Sequence, residues 1–366
     1  HSSLYNGVGD FHQENSYQDD NTLNMRNTVG FTYTPLAKKL IFKGDFTYSY
    51  RDYQRTRVNR YHEYSEGPGL TGIRGQSLRR MWNQETNYYA TNLTANFMPD
   101  LGEDHSLNLL VGGNYEASIR RNLYNRRDNY LYPEKPNFIL MDGENYVMEE
   151  RSNDWAFLGL FARANYSYLG RYLLEVSSRY DGSSKFPLNE QWGIFPSASV
   201  GWRLSDEPFM QPASHWLDNL KLRFSVGTLG NGNVSPYSYL ELMTVQKTSL
   251  LLDGGFQTMT SLPSLIPDNL TWEKATTYNA GLDVDMFKSR FNIGVDIYRR
   301  NTTDMYVNGP DLPQVLGASA PKGNYADLKT DGWELTIGWK DQLSIADKPF
   351  SYNVKMMVWD NQSWIT

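Results

Sequence analysis

The chain has 366 residues, no cysteine and a net charge of −6, and 14% of its residues are aromatic. The sequence therefore excludes disulfide bonds and thiolate metal sites. It also disfavours a nucleic-acid partner, because neutralising phosphates requires a basic face. The high aromatic content argues against a disordered chain. No run of about 18 apolar residues occurs, so no membrane-spanning helix is predicted.

Strands are predicted wherever apolar and polar residues alternate, because successive side chains of a strand point to opposite faces. In chain order, the clearest alternations occupy 40–51, 157–168, 172–181, 219–228, 279–298 (with a turn at 288–290) and 333–340. We predict about twelve such strands over 26–360. Strands of about 9–11 residues match the length that crosses a bilayer.

The two faces of these strands differ in character. On one predicted face, Leu158, Leu160, Ala162 and Leu174 follow one another at every second position. The opposite face carries charges in most of the strands, as the wall of a water-filled interior would. The residues that we assign to this polar wall are Arg163, Glu175, Arg179, Arg223, Asp283 and Asp285.

The predicted connections fall into two classes of length. Short ones lie near 36–39, 99–105, 169–171, 287–290 and 342–349, with an intermediate one at 205–217. Long ones lie near 51–84, 120–154, 181–191, 229–271 and 304–331. Short turns at one end and long loops at the other are typical of an antiparallel outer-membrane barrel. A soluble β-sandwich or propeller also alternates, but aromatic residues near the ends of the apolar face favour the membrane barrel.

Residues with catalytic or metal-binding chemistry do not form a recognisable pattern. The five histidines, His1, His12, His62, His105 and His215, are scattered without metal-ligand spacing. Asp283 and Asp285 share one strand face, as charges of a polar wall also do. The sequence therefore predicts no enzyme, no metal site and no cofactor.

Three consecutive motifs carry a family resemblance: GRYLL at 170–174, RYDGSSKF at 179–186 and WGIFPSASVGWR at 192–203. They resemble the barrel of SusC-like TonB-dependent outer-membrane transporters, the SusC/RagA family of Bacteroidetes. Further matches, including LTWE at 270–273 and GWEL at 332–335, follow in the expected order. Several ordered motifs together are far more specific than one.

The resemblance implies an all-β fold, a transmembrane antiparallel β-barrel with short periplasmic turns and long extracellular loops. The family barrel has about 22 strands and a plugged lumen, so this chain would be the middle part of the barrel. We expect 1–25 to be an extracellular loop or the remnant of a barrel strand, and 26–366 to be the partial barrel. The plug domain would lie outside this chain.

The resemblance also implies a function: energised import of an oligosaccharide or a peptide across the bacterial outer membrane. The expected partners are a SusD-like surface lipoprotein, TonB (through an N-terminal part outside this chain) and membrane lipid. A passive porin would share the strand pattern, and a soluble β-rich carbohydrate-binding module is a further alternative. The sequence does not distinguish a glycan from a peptide substrate. The loops determine the substrate, and their amino-acid composition does not identify it.

Aromatic residues in the predicted long loops are the candidates for substrate contact. Aromatic rings offer large flat surfaces for stacking and also form protein interfaces. From this group we select Trp82, Tyr130 and Tyr132 as candidates for stacking on sugar rings. Packing of the loops among themselves is the alternative role for each of them.

Overall fold

The structure is a computed structural model that describes residues 16–36, 39–132, 134–143, 146–252, 254–261, 263, 265–267, 270–313, 315, 320–345 and 348–366. These residues form strands joined by turns and loops. The three helices in those ranges are short 3₁₀ segments at Phe138–Leu140, Leu204–Asp206 and Pro208–Ala213. None of the helices in the described part of the chain is long and apolar enough to span a membrane.

Within the described residues, sixteen strands follow one another. They are β1 (Tyr17–Tyr33), β2 (Leu40–Asn59), β3 (His62–Gly67), β4 (Leu70–Arg74), β5 (Leu78–Phe97), β6 (His105–Asp128), β7 (Val147–Tyr168), β8 (Tyr172–Ser183), β9 (Trp192–Arg203), β10 (Leu217–Asn231), β11 (Val245–Leu252), β12 (Gly255–Thr260), β13 (Glu273–Met286), β14 (Phe291–Asn308), β15 (Lys322–Ile345) and β16 (Lys348–Ile365).

Twelve of the strands form one sheet in the order β1-β2-β5-β6-β7-β8-β9-β10-β13-β14-β15-β16. Each strand therefore lies beside the one that precedes it in the chain, apart from two inserted hairpins, β3–β4 and β11–β12. From β7 to β16 every neighbouring pair is antiparallel. The predicted all-β, up-and-down arrangement of about twelve strands is confirmed.

The chain forms two compact units. Of the residues that the structure describes, those within 16–29, 45–91 and 116–155 form the first unit, and those within 30–44, 92–115 and 156–366 form the second. In the first unit, Val58, Leu78 and Met141 are buried. In the second unit, buried residues form one cluster beside the long connections, which is described below.

The strand registers define the two faces of the sheet. Residues directly opposite each other in an antiparallel pair lie on the same face. From β9 to β15, the apolar residues Val200, Phe224, Ala280, Ile297 and Trp333 pair in turn. On β7–β9, Leu160 pairs with Tyr180, which pairs with Ile194. We call this side the apolar face; Leu160 is 51% exposed on it, although it is a large hydrophobic residue.

The other side of the sheet is polar, as predicted, and we call it the polar face. Ser177 pairs with Ser197 across β8 and β9, and their hydroxyl groups are 2.7 Å apart. Across β10, β13, β14 and β15, the residues Arg223, Gly281, Asp296 and Glu334 pair in turn. The alternation of apolar and polar residues therefore indicates that the two faces of the sheet meet different surroundings.

The strands extend further toward the long connections than we predicted. The expected loops at 51–84, 120–154 and 304–331 shrink to 60–77, 129–146 and 309–321. Likewise, β8 continues through Asp181 to Ser183, where we expected a turn to begin, and both side chains are buried. These extensions have polar residues on both faces, so they lack the apolar alternation that predicts a strand.

The structure describes only part of the segment 1–25, for which we predicted a loop or the remnant of a strand. Residues 17–25 lie in β1, and nearly the whole of that strand is exposed. Residues 1–15 lie outside the described residues. The segment boundary near residue 25 stays a prediction.

A row of aromatic rings marks the short-turn end of the sheet in the second unit. The rings of Tyr168, Tyr172 and Trp202 stack in succession, with centroids 6.1 and 6.3 Å apart. The buried carboxylate of Glu207 accepts hydrogen bonds from the Tyr172 hydroxyl at 2.6 Å and the Trp202 indole at 3.0 Å. These two bonds, together with the nearby Arg171 guanidinium, lower the pKa of Glu207. The Glu207 carboxylate therefore holds the 204–216 connection against the rings of Tyr172 and Trp202.

A buried cluster occupies the loop end of the second unit. Its members, each at most 5% exposed, are Phe186, Phe195, Val234, Leu270 and Trp272. The Trp272 indole donates to the Gln191 carbonyl at 3.0 Å, so it joins the connections 184–191 and 232–272. A Cβ at Gly230 would overlap the Phe195 ring, so only glycine lets this ring pack against β10. The cluster fixes the base of these connections.

Candidate functional site

Charged side chains on the polar face pair with one another. The Arg223 guanidinium donates to Asp283 at 2.7 and 3.0 Å and to Asp296 at 3.1 Å. Nearby, Asp285 accepts from the Asn219 amide at 3.0 Å. Arg223 and both aspartates of the sequence prediction therefore lie on one face, and the structure adds Asp296. Its position in β14 could have been deduced from the even spacing of polar residues in that strand.

A second charged group lies on the polar face of β6–β8. Arg179 donates to both oxygens of Asp181, at 3.1 and 2.9 Å, and to Asn114 at 3.0 Å. Its guanidinium also lies 5.1 Å from the centroid of the Phe161 ring. In the same region Arg163 approaches Glu175 at 4.0 Å. All six predicted wall residues thus share the polar face; that this face lines a lumen stays a prediction.

These groups do not form a reaction centre. Arg179 and Arg223 each donate charge-assisted hydrogen bonds to carboxylates, which is the arrangement of a rigid, wettable wall. The described residues contain no group of three or more histidine, aspartate and glutamate side chains that could hold a metal ion. The chemistry available to this face is hydrogen bonding to a polar solute.

An aromatic pair lies in the first unit. The rings of Trp82 and Tyr124 are 5.1 Å apart at their centroids and both residues are half-buried. Trp82 lies in β5, and not in the loop that we predicted, because β5 begins at Leu78. Tyr124 is an even number of positions from Glu116 in β6, so both project from the same side of that strand. The sequence reading missed Tyr124 as the partner of Trp82.

A second aromatic group lies farther along the same strands of the first unit. The Tyr88 hydroxyl donates to Glu116 at 2.9 Å, and the Tyr88 ring lies 6.5 Å from that of Trp155. Tyr88 is an even number of positions from Trp82 in β5, so both rings project from one face. The polar face of the first unit therefore presents aromatic rings beside hydrogen-bonding groups.

The other two candidates for substrate contact have different surroundings. The Tyr130 hydroxyl donates to the Leu78 carbonyl at 2.6 Å, and burial raises the pKa of Tyr130 to about 12. Tyr132 is 62% exposed. Within the described residues, no ring contact joins Trp82, Tyr130 and Tyr132. Tyr130 has a structural contact, Tyr132 is free to meet a ligand, and the role of all three in substrate binding stays a prediction.

Two arginines that the sequence reading missed hold the loop that carries Tyr132. Arg79 donates to the Pro136 carbonyl, and its guanidinium lies 5.3 Å from the Phe138 ring centroid. Arg127 donates to the Phe138 carbonyl at 3.1 Å. The loop is thereby fixed to the ends of β5 and β6. No local motif indicates these contacts, because they join residues that are distant in sequence.

A comparison with protein families identifies the fold that these faces belong to. The family model described as "TonB dependent receptor-like, beta-barrel" matches residues 1–363. The chain belongs to this family. It is part of an outer-membrane β-barrel receptor and not of an enzyme, so the alternative of a soluble carbohydrate-binding module is set aside.

Two relatives support this membership. The TonB-dependent receptor SusC of Bacteroides thetaiotaomicron is 30% identical over 315 residues, which are 83% of this chain and 30% of SusC. The TonB-dependent receptor P39 of Formosa agariphila is 29% identical over 315 residues, which are 83% of this chain and 28% of P39. The chain therefore spans about a third of the length of these relatives.

Solved structures show the same fold. The RagAB peptide transporter matches 95% of this chain and 38% of its own chain, with a TM-score of 0.80 and 22% identity. The outer membrane transporter YddB from Escherichia coli matches 95% of this chain and 44% of its own, with a TM-score of 0.59 and 12% identity. The predicted SusC-like resemblance, barrel class and outer-membrane location are thus confirmed.

Proposed function

We propose that the receptor containing this chain imports a bulky nutrient, a glycan, across the outer membrane in a TonB-dependent manner. The observation that carries the proposal is the Trp82–Tyr124 ring pair on the polar face of the first unit, with the Tyr88–Glu116 hydrogen bond farther along the same two strands. Aromatic rings next to hydrogen-bonding groups suit sugar rings, which have apolar faces and hydroxyl edges. A peptide is the second candidate, because the structural neighbour RagAB is a peptide transporter.

The wall charges support passage of a neutral solute. Arg179 and Arg223 are each satisfied by carboxylates of the same wall, so neither offers a strong unpaired charge to the solute. A neutral glycan would exchange hydrogen bonds with water and with wall side chains at little net cost. A porin with this wall would need no energy source, and dependence on TonB separates the two mechanisms.

Exposed apolar side chains on an inserted hairpin support a protein partner at the loop end. On β11–β12, Val245, Leu251 and Phe256 are between 56% and 66% exposed. Apolar residues gathered on an exposed hairpin mark an interaction surface. We propose that a SusD-like surface lipoprotein docks there and covers the loops.

The test of substrate binding compares two tryptophans in the full-length receptor. Trp82→Ala removes the ring from the polar face, whereas Trp192→Ala removes a ring from the apolar face, where Trp192 stacks on Tyr180 at 4.8 Å. We expect Trp82→Ala to reduce glycan uptake at equal receptor abundance and Trp192→Ala to leave it unchanged. Normal glycan uptake by Trp82→Ala would remove this pair from the substrate path.

Two further arms test the mechanism and the partner. Deleting TonB should abolish uptake; uptake that persists would favour the passive porin. Changing Val245, Leu251 and Phe256 to serine should reduce co-purification of the lipoprotein. Unchanged recovery of the lipoprotein would place its docking surface elsewhere. Supplying peptides in place of glycans decides between the two substrate classes.

A further inference from the structure

Polar residues interrupt the apolar face on β14–β16. Arg299 pairs with Asp331, and Asp331 pairs with Gln362. Two residues nearer the short turns along each strand, Asp360 pairs with Trp333, which pairs with Ile297. The registers therefore put two aspartates, an arginine and an amide on the side that otherwise carries valine, isoleucine and phenylalanine.

Arg299 and Asp331 of this patch form an ion pair, and the Arg299 guanidinium can still donate further hydrogen bonds. Arg299 Nε and Nη2 donate to Asp331 at 2.7 and 2.9 Å, and Arg299 remains about half exposed. Lys329 Nζ lies 3.7 Å from Asp331 and 6.0 Å from the Trp364 ring centroid. Arg299 Nη1 makes no hydrogen bond among the described residues. Asp360 accepts a bond from the backbone of Asn361.

The position of the patch along the strands is informative. β14 starts beside the short turn at 287–290 and ends at the connection 309–321, so Arg299 lies nearer the loop end than Ile297. Arginine on a lipid-exposed face is costly at the bilayer midplane and tolerated near the interface. With the long connections at the outer surface, as the sequence predicts, the patch lies at the level that we assign to the outer-leaflet headgroups.

A groove runs from the patch into the apolar face. Its volume is about 1340 Å³ and it is open to the outside. The polar end contains Arg299, Asp331 and Gln362, whereas Val200, Phe224 and Ala280 line the apolar part. Alanine at 198 and 280 leaves space between larger neighbours, and Trp333 lies beside that space. The groove is thus polar toward the headgroup level and apolar toward the membrane interior.

We infer that this groove binds a phosphorylated, sugar-headed lipid of the outer leaflet. Its acyl chain would occupy the apolar part between Phe224 and Ile297. Its phosphate would accept hydrogen bonds from Arg299 Nη1 and Lys329, because guanidinium and ammonium groups form strong charge-assisted bonds to phosphate. Its sugar hydroxyls would donate to Asp360, and Trp333 would offer a ring face.

The mixed charge of the patch favours a sugar head over a simple anionic one. Two cations face a phosphate, but Asp331 and Asp360 would repel a headgroup that offers only negative charge. Hydroxyl groups satisfy carboxylates without that repulsion. The inference rests on membership of the outer-membrane family and on the groove, and is independent of the substrate that the receptor imports.

The test uses the full-length receptor in detergent, with bound lipid counted by native mass spectrometry. The probes are lipid A, which carries phosphorylated sugars, and phosphatidylglycerol, which carries phosphate without a sugar ring. The variant Arg299→Gln/Lys329→Gln removes the phosphate ligands. Lys288→Gln, at the exposed short turn of the same β13–β14 hairpin, is the matched control.

We expect the wild type and Lys288→Gln to retain lipid A, and the double variant to bind it at least about tenfold more weakly. Equal retention of lipid A by the double variant would overturn the inference. Binding of phosphatidylglycerol as tight as that of lipid A would also overturn it, because the sugar would then contribute nothing.

A second variant keeps the test informative if the double variant fails to fold. Ala280→Phe fills the apolar part of the groove and leaves every charge in place. We expect it to lose lipid A while its thermal unfolding in detergent stays that of the wild type. Retention of lipid A at wild-type affinity would place the acyl chain outside the groove and contradict the inference.

Discussion

The two ends of the sheet in the second unit are stabilised in opposite ways. At the loop end, Trp272 and Phe186 are almost fully buried in an apolar cluster like the core of a soluble protein. At the short-turn end, Tyr168, Tyr172 and Trp202 stack but remain between 37% and 44% exposed, and the buried Glu207 connects Tyr172 with Trp202. The difference indicates that the loop end excludes water by itself, whereas we expect the exposed ring row to be covered by the membrane interface.

The largest expected effect comes from opening the loop-end cluster. Trp272→Ala removes a buried ring that contacts Phe186 and Phe195, and we expect it to lower the free energy of unfolding by about 3–5 kcal/mol. Trp192→Ala, which removes a 43% exposed ring at the same end, is the control and should cost much less. The measurement is denaturant unfolding of the receptor in lipid vesicles. Equal losses of unfolding free energy in the two variants would mean that the buried ring of Trp272 stabilises the protein no more than the exposed ring of Trp192.

The next effect tests the middle of the apolar face. Leu160→Arg puts a charge on the face that we assign to lipid, at a cost of about 2–4 kcal/mol near the midplane. Ser177→Arg, on the polar face of the neighbouring strand, should cost far less because water and wall residues solvate the charge. Folding yields and unfolding curves of the two variants in vesicles provide the comparison. A larger loss for Ser177→Arg would reverse the assigned faces.

A smaller effect tests the charge pairs of the polar face. Arg223→Met leaves Asp283 and Asp296 close together without their shared partner, and we expect a loss of about 1–3 kcal/mol in unfolding free energy. Changing both aspartates to asparagine in the same protein should restore most of it, because no unpaired charge then remains. If the triple variant is no more stable than Arg223→Met, the pairing does not account for the loss.

The smallest effect lies at the short-turn end and depends on pH. The pKa of Glu207 is lowered from its ordinary value near 4.5, so its contribution to stability is present above that value and is lost as pH falls through the lowered pKa. We expect Glu207→Gln to unfold at a lower temperature than the wild type at pH 7. The two melting temperatures should converge in acid. A constant difference at every pH would exclude the carboxylate charge as the cause.

The sequence could predict those parts of the fold in which the two faces of a strand meet different surroundings. The alternation of Leu158 and Leu160 with Arg163 therefore indicated the strand and both of its faces. It could not indicate the ends of β6 and β7, because polar residues occupy both faces there and the alternation disappears. Once β14 is assigned as a strand, the alternation of its residues also places Asp296 on the polar face.

Contacts between distant segments could not be predicted in this way. The Glu207 carboxylate reaches Tyr172 across a turn and a strand, and Trp272 reaches Gln191 from another connection. The site candidates show the same limit. Trp82 was selected as a loop aromatic, but its position in β5 and its partner Tyr124 depend on where the strand starts and on the register with β6.

The central claim is that the apolar face meets lipid and the polar face meets water. The chain has no cysteine, so Leu160→Cys and Ser177→Cys each give one site for a spin label within it. In vesicles containing the full-length receptor, with any cysteine outside this chain replaced, we predict that the Leu160 label relaxes with oxygen, which concentrates in lipid. The Ser177 label should respond to a water-soluble nickel complex. The opposite result, a water-accessible Leu160 and a lipid-accessible Ser177, would contradict the account.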